Sequence, residues 1–247
     1  MSGIGTGYDL SSTTYSPDGK VFQTEYAQKA VDNSGTVIGL RCKDGVVLAS
    51  ETLVLSKLLV EGSNRRIYHV DRHAGAAVAG LAPDGRMIVS RACEEASNYK
   101  KSYGETIPGF VLTERISSYV HMFNLYYSLR PYGAAMLLAT YDEAGPQLAM
   151  IEPSGNAYRY SGTAVGKGRQ AARNEIEKLK LSEMTCRQGV MEAVKILHKV
   201  RDEDGKPFEI EVSWIGDETN RTHMRVPAEM HAEAERLAKA ALADSDM

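Results

Sequence analysis

Cysteine is scarce in this sequence. The 247 residues carry three, Cys42, Cys93 and Cys186, odd in number and far apart along the chain. A structural metal site needs closely spaced ligand pairs, so these read as reduced and mostly buried thiols. An excess of either charge is lacking too. The formal net charge is -3, and the basic runs Arg65-Arg66 and Lys100-Lys101 are too short to form a patch. Nucleic acid and an anionic membrane surface are therefore not expected as partners. No apolar h-region follows Met1, and no apolar stretch approaches bilayer length, so the expected location is the cytoplasm and nucleus. In that setting the sequon Asn220-Arg221-Thr222 reads as a chance match. No Pro/Gly/Ser-rich linker or short repeat interrupts the chain, which argues for residues 1–247 as a single domain. No serine sits in a Gly-x-Ser-x-Gly setting.

What is present is ordinary for a globular protein, 43% hydrophobic and 25% charged, except at the start. Gly3 to Asp9 is small, polar and glycine-rich, with little to bury. Ser16-Pro17-Asp18-Gly19 is a turn in which proline fixes φ and glycine tolerates a positive one. An amphipathic helix follows, with Phe22, Tyr26 and Ala30 on one stripe and Gln23, Glu25 and Lys29 beside it.

Thereafter the periodicities alternate in blocks. Thr36–Cys42 and Val46–Ser50 form a hairpin around Lys43-Asp44-Gly45, and Arg66–Val70 pairs with Ala74–Ala79. A helix beginning near Asp84 carries Ile88, Ala92, Ala96 and Tyr99. A second carries Leu112, Ile116, Tyr119, Val120 and Phe123, with Pro131 as its stop. Strands return at Ala134–Tyr141, Gln147–Glu152 and Ala157–Ser161. A third helix has Ala172, Ile176 and Leu179 as its core stripe. Thr185-Cys186-Arg187-Gln188 is a capping box opening a fourth, with Val190, Val194 and Leu197 inward. Phe208, Ile210, Val212 and Trp214 alternate with polar residues as a half-exposed strand. Pro227 opens a last helix striped by Met230, Ala234, Leu237 and Ala241. Hairpin blocks separated by paired helices predict an α+β fold, with sheets packed face to face and helices outside.

Tyr15-Ser16-Pro17-x-Gly19-x-Val21-x-Gln23-x-Glu25-Tyr26-Ala27 resembles the amino-terminal signature of proteasome alpha subunits. Arg130-Pro131-Tyr132-Gly133 resembles an Arg-Pro-aromatic-Gly motif of the same family. The resemblance implies a four-layer αββα sandwich of the N-terminal nucleophile hydrolase type. It also implies a non-catalytic subunit of the 20S proteasome core, in a heteroheptameric ring of alpha subunits stacked on a beta ring. Regulatory-particle ATPases and other activators would be partners. The implied roles are scaffold, axial gate and docking surface in ubiquitin-dependent and ubiquitin-independent degradation, with no cofactor and no metal. Residues 1–15 would be the gate tail and 20–33 an alpha-specific helix. By the same resemblance Tyr8, Asp9, Pro17 and Tyr26 form the gate cluster, and Phe22 and Tyr26 the ring interface. Leu10 departs from the pattern, standing where most members have arginine. Arg66, Glu25 and Gly80 would line the pocket for an activator's terminal carboxylate. Arg66 replaces the usual lysine, and pairing with Glu25 would leave that pocket weak.

The competing chemistry is an active N-terminal nucleophile hydrolase. By resemblance its nucleophile would fall at Gly35, which has no side chain to offer. Glu51 and Arg66 fall near the supporting acid and lysine, and without a nucleophile they serve structure or binding. A third reading, a monomeric ligand-binding sandwich, leaves the amino-terminal motif unexplained. Gly162 to Gly168 resembles a phosphate loop only faintly, being one residue short and lacking Ser/Thr at Gly168, and reads instead as a strand-to-helix turn. His69 and His73 straddle a strand end and a turn and read as surface histidines. Tyr126-Tyr127 reads as subunit interface.

Overall fold

The computed structural model describes residues 7–54, 56–60, 62–201 and 207–245. Residues 1–6 of the expected tail, and Asp246 of the acidic end, lie outside them. In chain order the elements are α1 (Phe22–Asp32), β1 (Val37–Cys42), β2 (Gly45–Leu53), β3 (Ile67–Asp71), β4 (Ala74–Gly80), α2 (Ala82–Tyr103), α3 (Gly109–Met122) and β5 (Ala134–Asp142). They continue with β6 (Gly145–Ile151), β7 (Ala157–Arg159), β8 (Gly162–Val165), α4 (Arg169–Ile176), α5 (Cys186–Lys199), β9 (Phe208–Gly216), β10 (Met224–Arg225) and α6 (Ala228–Ser245).

The strands form two antiparallel sheets, ordered β10-β9-β2-β1-β8 and β3-β4-β5-β6-β7. β5 shows why they stack. Its even positions Ala134, Met136 and Leu138 pack with Ile88, Leu112 and Ile116 of α2 and α3. Its odd positions Ala135, Leu137 and Ala139 face Val46 and Leu48 of the other sheet. A strand buried on both faces needs a layer on each side. In the first sheet Ile38, Leu40 and Val47 meet Val190, Val194, Met230 and Ala234 of α5 and α6. The expected four-layer αββα sandwich results.

The capping box forms as expected: the Thr185 hydroxyl accepts from the Gln188 amide, and Gln188 Oε1 accepts from Thr185 N–H at 2.9 Å. Elsewhere the structure departs from the sequence pattern. Gly162–Val165 is a strand rather than the start of a turn, and the chain changes sheets just before it. Tyr160 N–H still donates to Leu148 of β6 (2.9 Å), while the Ser161 carbonyl already accepts from Arg41 of β1 (2.8 Å). α3 ends at Met122, well before Pro131, because Asn124 donates to the carbonyls of Val120 (3.3 Å) and Pro153 (2.9 Å) and closes the last turn. Leu179 lies beyond α4 and packs from the following turn. α6 buries Ala238 instead of Leu237, which is exposed, since Met230, Ala234 and Ala238 keep a strict four-residue step against α5. On β9, Ser213 is buried rather than exposed because a second layer covers that face too. The α1 stripe also shifts. Its buried residues are Ala27 and Val31, and Phe22 and Tyr26 stay only half-buried.

Candidate functional site

The amino-terminal segment is placed by polar contacts. The turn closes through Gly19 N–H to Ser16 O and Ser16 N–H to Lys20 O, both 2.9 Å, with Gly19 at φ 73°. Upstream, Ser12 is buried and its hydroxyl donates to the carbonyls of Tyr126 (3.1 Å) and Leu129 (3.3 Å). Tyr26, one turn into α1, donates its hydroxyl to Asp9 Oδ2 at 3.2 Å, and Gln23 Nε2 donates to the Asp9 carbonyl. Partial burial and the Asp9 carboxylate raise the Tyr26 hydroxyl above its ordinary pKa. Thus Asp9 and Tyr26 are brought together, while Tyr8 and Pro17 stay exposed on the same segment. Phe22 and Tyr26 lie with ring centroids 6.1 Å apart, and Lys29 sits 5.7 Å over the Tyr26 ring. Leu10 is 89% exposed, and Tyr126 and Tyr127 are exposed beside the Ser12 anchor.

A second corner lies where β3 starts and β4 ends. Arg66 Nη1 donates to the Gly80 carbonyl at 2.8 Å. The Gly80 amide donates to Ser34 Oγ at 2.8 Å, and Ser34 Oγ in turn donates to Val31 O at 2.7 Å. Gly80 has φ +106°, and a Cβ there would stand 2.2 Å from the Gly133 carbonyl, so only glycine fits. Glu211 fixes the backbone: its Oε2 accepts from Arg66 N–H and Ile67 N–H, each 3.0 Å. Burial lowers the Arg66 pKa, against the opposing pull of Tyr68 and Glu211. Glu25, expected beside Arg66, instead pairs with Lys20 at 3.6 Å, because it stands on the exposed side of the first turn of α1 near the residue that leads into the helix.

The cleft at the expected nucleophile position has a volume of about 170 Å³ and is lined by Ser34, Gly35, Thr36, Glu51, Lys167 and Arg201 among others. A Cβ on Gly35 would stand 2.5 Å from the Glu51 carbonyl, so the position has no room for a nucleophile's side chain. The flanking Thr36 hydroxyl and Glu51 carboxylate are committed to structure. Thr36 Oγ1 accepts from Gly168 N–H (3.1 Å), and Glu51 Oε2 accepts from Thr36 N–H (3.2 Å). The phosphate-loop reading fails on the same bonds, since Lys167 N–H donates to Ser34 O (2.9 Å) and the Gly168 amide is taken.

Of the two histidines, His69 lies at the surface as expected and His73 does not. His73 is buried, with Nε2 2.8 Å from the Ile107 carbonyl, because the β3–β4 hairpin folds beneath the α2–α3 connection. His69 is exposed and stacks on buried His223 at 5.8 Å. Cys42 and Cys186, distant in sequence, share one site. The Cys42 side chain is the main cause, and burial the next, of a Cys186 thiol pKa far above its ordinary value. Such thiols are inert. Among the described residues no cluster of three or more His, Cys, Asp or Glu could hold a metal ion, and no helix is long and apolar enough to cross a membrane.

Sequence reasoning missed Ser12, Glu211 and Asp84. Asp84 was legible only as a helix start, yet it accepts from Arg130 Nη1 (2.6 Å), Arg130 Nη2 (2.8 Å) and Gly133 N–H (2.8 Å). The Arg-Pro-aromatic-Gly motif is thereby the partner of one carboxylate.

Known proteins resemble the chain along essentially its whole length. Residues 31–215 match the proteasome subunit family, and residues 8–30 match the N-terminal signature of its alpha-type members. The alpha type-3 proteasome subunit of Spinacia oleracea is 60% identical over 247 residues, covering 100% of this chain and 99% of that protein. The protein of the same name from Dictyostelium discoideum is 53% identical over 248 residues, covering 100% of both. A probable alpha type-7 proteasome subunit of Saccharomyces cerevisiae is 46% identical over 239 residues, covering 95% of this chain and 83% of its own length.

Proposed function

The chain belongs to the proteasome subunit family as a non-catalytic alpha subunit of the core, and from that premise we propose that its amino-terminal segment is part of an axial gate. The observation that carries this reading is the bond from Tyr26 to Asp9, joined by Gln23 on the Asp9 carbonyl. It directs the tail from the surface of α1, where Tyr8 and Pro17 remain available to a neighbouring subunit. The half-buried face of Phe22 and Tyr26 is then the contact with the next alpha subunit in a heteroheptameric ring, stacked on a beta ring. Such particles would work in cytoplasm and nucleus, in ubiquitin-dependent and ubiquitin-independent degradation.

The Arg66–Gly80 corner is proposed to receive the C-terminal carboxylate of a regulatory ATPase or another activator. Its affinity is low, because the guanidinium already serves the Gly80 carbonyl and the Gly80 amide already serves Ser34. Glu25 contributes at most at long range. Deleting the chain up to Asp9 tests the gate. Basal hydrolysis of small peptides by intact particles is expected to rise several-fold, and an unchanged rate in particles of full mass would refute a gating role for this tail.

A further inference from the structure

Arg66 is not the only cation at its corner. Alternation along β3 sends Arg66 and Tyr68 to the face on which α2 lies, and Ile67 to the face between the sheets. α2 comes close to that face at Gly85, where a Cβ would stand 2.9 Å from the Val78 side chain. Val78 N–H in turn donates to the Arg66 carbonyl at 2.9 Å. The next residue of α2 is Arg86, which is exposed. It has no hydrogen bond or ion pair among the described residues. The Tyr68 phenol registers the cluster: burial raises its pKa, while the charges of Arg86 first, then Arg66 and Arg65, pull it down.

The other polar groups here are largely spent. Arg65 turns its Nε to the Gly62 carbonyl at 2.9 Å, and the Tyr68 hydroxyl donates to the Arg65 carbonyl at 2.8 Å. Glu211 holds the Arg66 and Ile67 amides with one oxygen. Asp84, two residues before Arg86, is taken by Arg130 and Gly133. Positive charge is therefore in excess, and Arg86 is the guanidinium with its donors to spare.

We propose that Arg86 is a second binding residue beside the corner, taking an acidic side chain from the same activator tail whose terminal carboxylate enters at Arg66. The inference rests on the reading of that corner as a carboxylate-docking pocket. A guanidinium carried on a helix presents a planar fork that suits a carboxylate. Arg66 and Arg86 both act on Tyr68, so one short segment can reach both. The site then selects among tails: an acid near the end gains a charged pair, and a neutral residue leaves Arg86 in water.

The test uses intact particles in which only this subunit is varied. The probes are synthetic peptides with a free terminal carboxylate and a photoreactive group. Glutamate is walked through the residues just before the last, each peptide having a glutamine twin and an amidated control. Labelling of this subunit is followed by mass as the peptide concentration is raised. At one position the glutamate peptide is expected to reach half-labelling at a concentration about fivefold lower than its twin. Arg86→Gln should abolish that advantage. Arg86→Glu should turn it in favour of lysine at the same position, which a merely structural role would not do. Should neither variant enter particles, unaltered ones decide: the advantage should vanish at about 1 M salt, where charges are screened beyond about 3 Å. Equal labelling by the twins at every position overturns the role of Arg86 and leaves the docking reading standing, as does an advantage that survives Arg86→Gln or high salt. Labelling no stronger than with the amidated peptides in unaltered particles overturns the docking reading, and the role of Arg86 with it.

Discussion

From Ala134 to Thr140 every residue of β5 is buried, and six of the seven are hydrophobic. From Gly7 to Lys20 the buried residues are two serines, Ser12 and Ser16. The first stretch is held by apolar burial, at roughly 1.5–3 kcal/mol for each large aliphatic side chain. The second is held by hydrogen bonds worth about 0.5–1.5 kcal/mol each, with no apolar seat. Directional bonds of that kind give the tail an address without much energy. Breaking them would cost the sandwich none of its apolar burial, as the proposed gate requires.

The largest effect should come from making the boundary between the two regions behave like neither. Phe22→Asp on the half-buried face of α1 would bury an unpaired carboxylate at the proposed subunit contact, a cost on the order of several kcal/mol. Native mass should show the variant excluded from full-size particles, while circular dichroism of the isolated chain shows a normal fold. Normal incorporation would remove α1 from the ring contact.

Leu137→Ala attacks the other side of the comparison. The side chain is fully buried between the sheets, and its truncation should cost about 2–5 kcal/mol of stability. Thermal unfolding should register that loss.

Acid offers a third separation, through His223. Burial first, and His69 second, lower its pKa to about 4. Its Nε2 bonds Ser213 Oγ at 2.9 Å, and its Nδ1 has no partner among the described residues. An unfolded histidine titrates near 6.5, so between about 6.5 and about 4 the unfolded chain binds the extra proton. Stability is therefore complete above that window, falls by about 3 kcal/mol as the pH drops through it, and is flat below. His223→Gln should flatten this part of the pH–stability curve, and an unaltered curve would assign the loss to other groups.

The smallest effect is expected at Arg66. Because its guanidinium is already committed to Gly80, Arg66→Ala should reduce activator-dependent gate opening by less than about threefold. A larger loss would make Arg66 a principal docking group.

The same contrast explains what could be read from the sequence. The alternation of Met136, Leu137 and Leu138, the four-residue steps of α5 and the capping box at Thr185 are local periodicities, and the layers follow from them. β8 hid because it is only four residues long and opens on a glycine, and its identity comes from pairing with β1 across more than a hundred residues. Ser12 and Asp84 hid for a related reason. Ser12 acts on distant carbonyls, which leave no residue-type signature, and the partners of Asp84, the Arg130 guanidinium and the Gly133 amide, lie more than forty residues further along the chain. The pairing of Asp9 with Tyr26 was accessible only through resemblance to a family, since nothing in the local pattern requires it. The expected neighbour of Arg66 was likewise misjudged, because Glu25 finds Lys20 nearer to hand.

The change of sheets at Tyr160 and Ser161 has a mechanical meaning. Adjacent residues are stitched to opposite halves of the sandwich, so the halves cannot be peeled apart along a seam without tearing a backbone bond pair at the crossing. Two separable leaves could open one at a time, whereas a crossing held on both sides couples the opening of one leaf to the loss of bonds in the other.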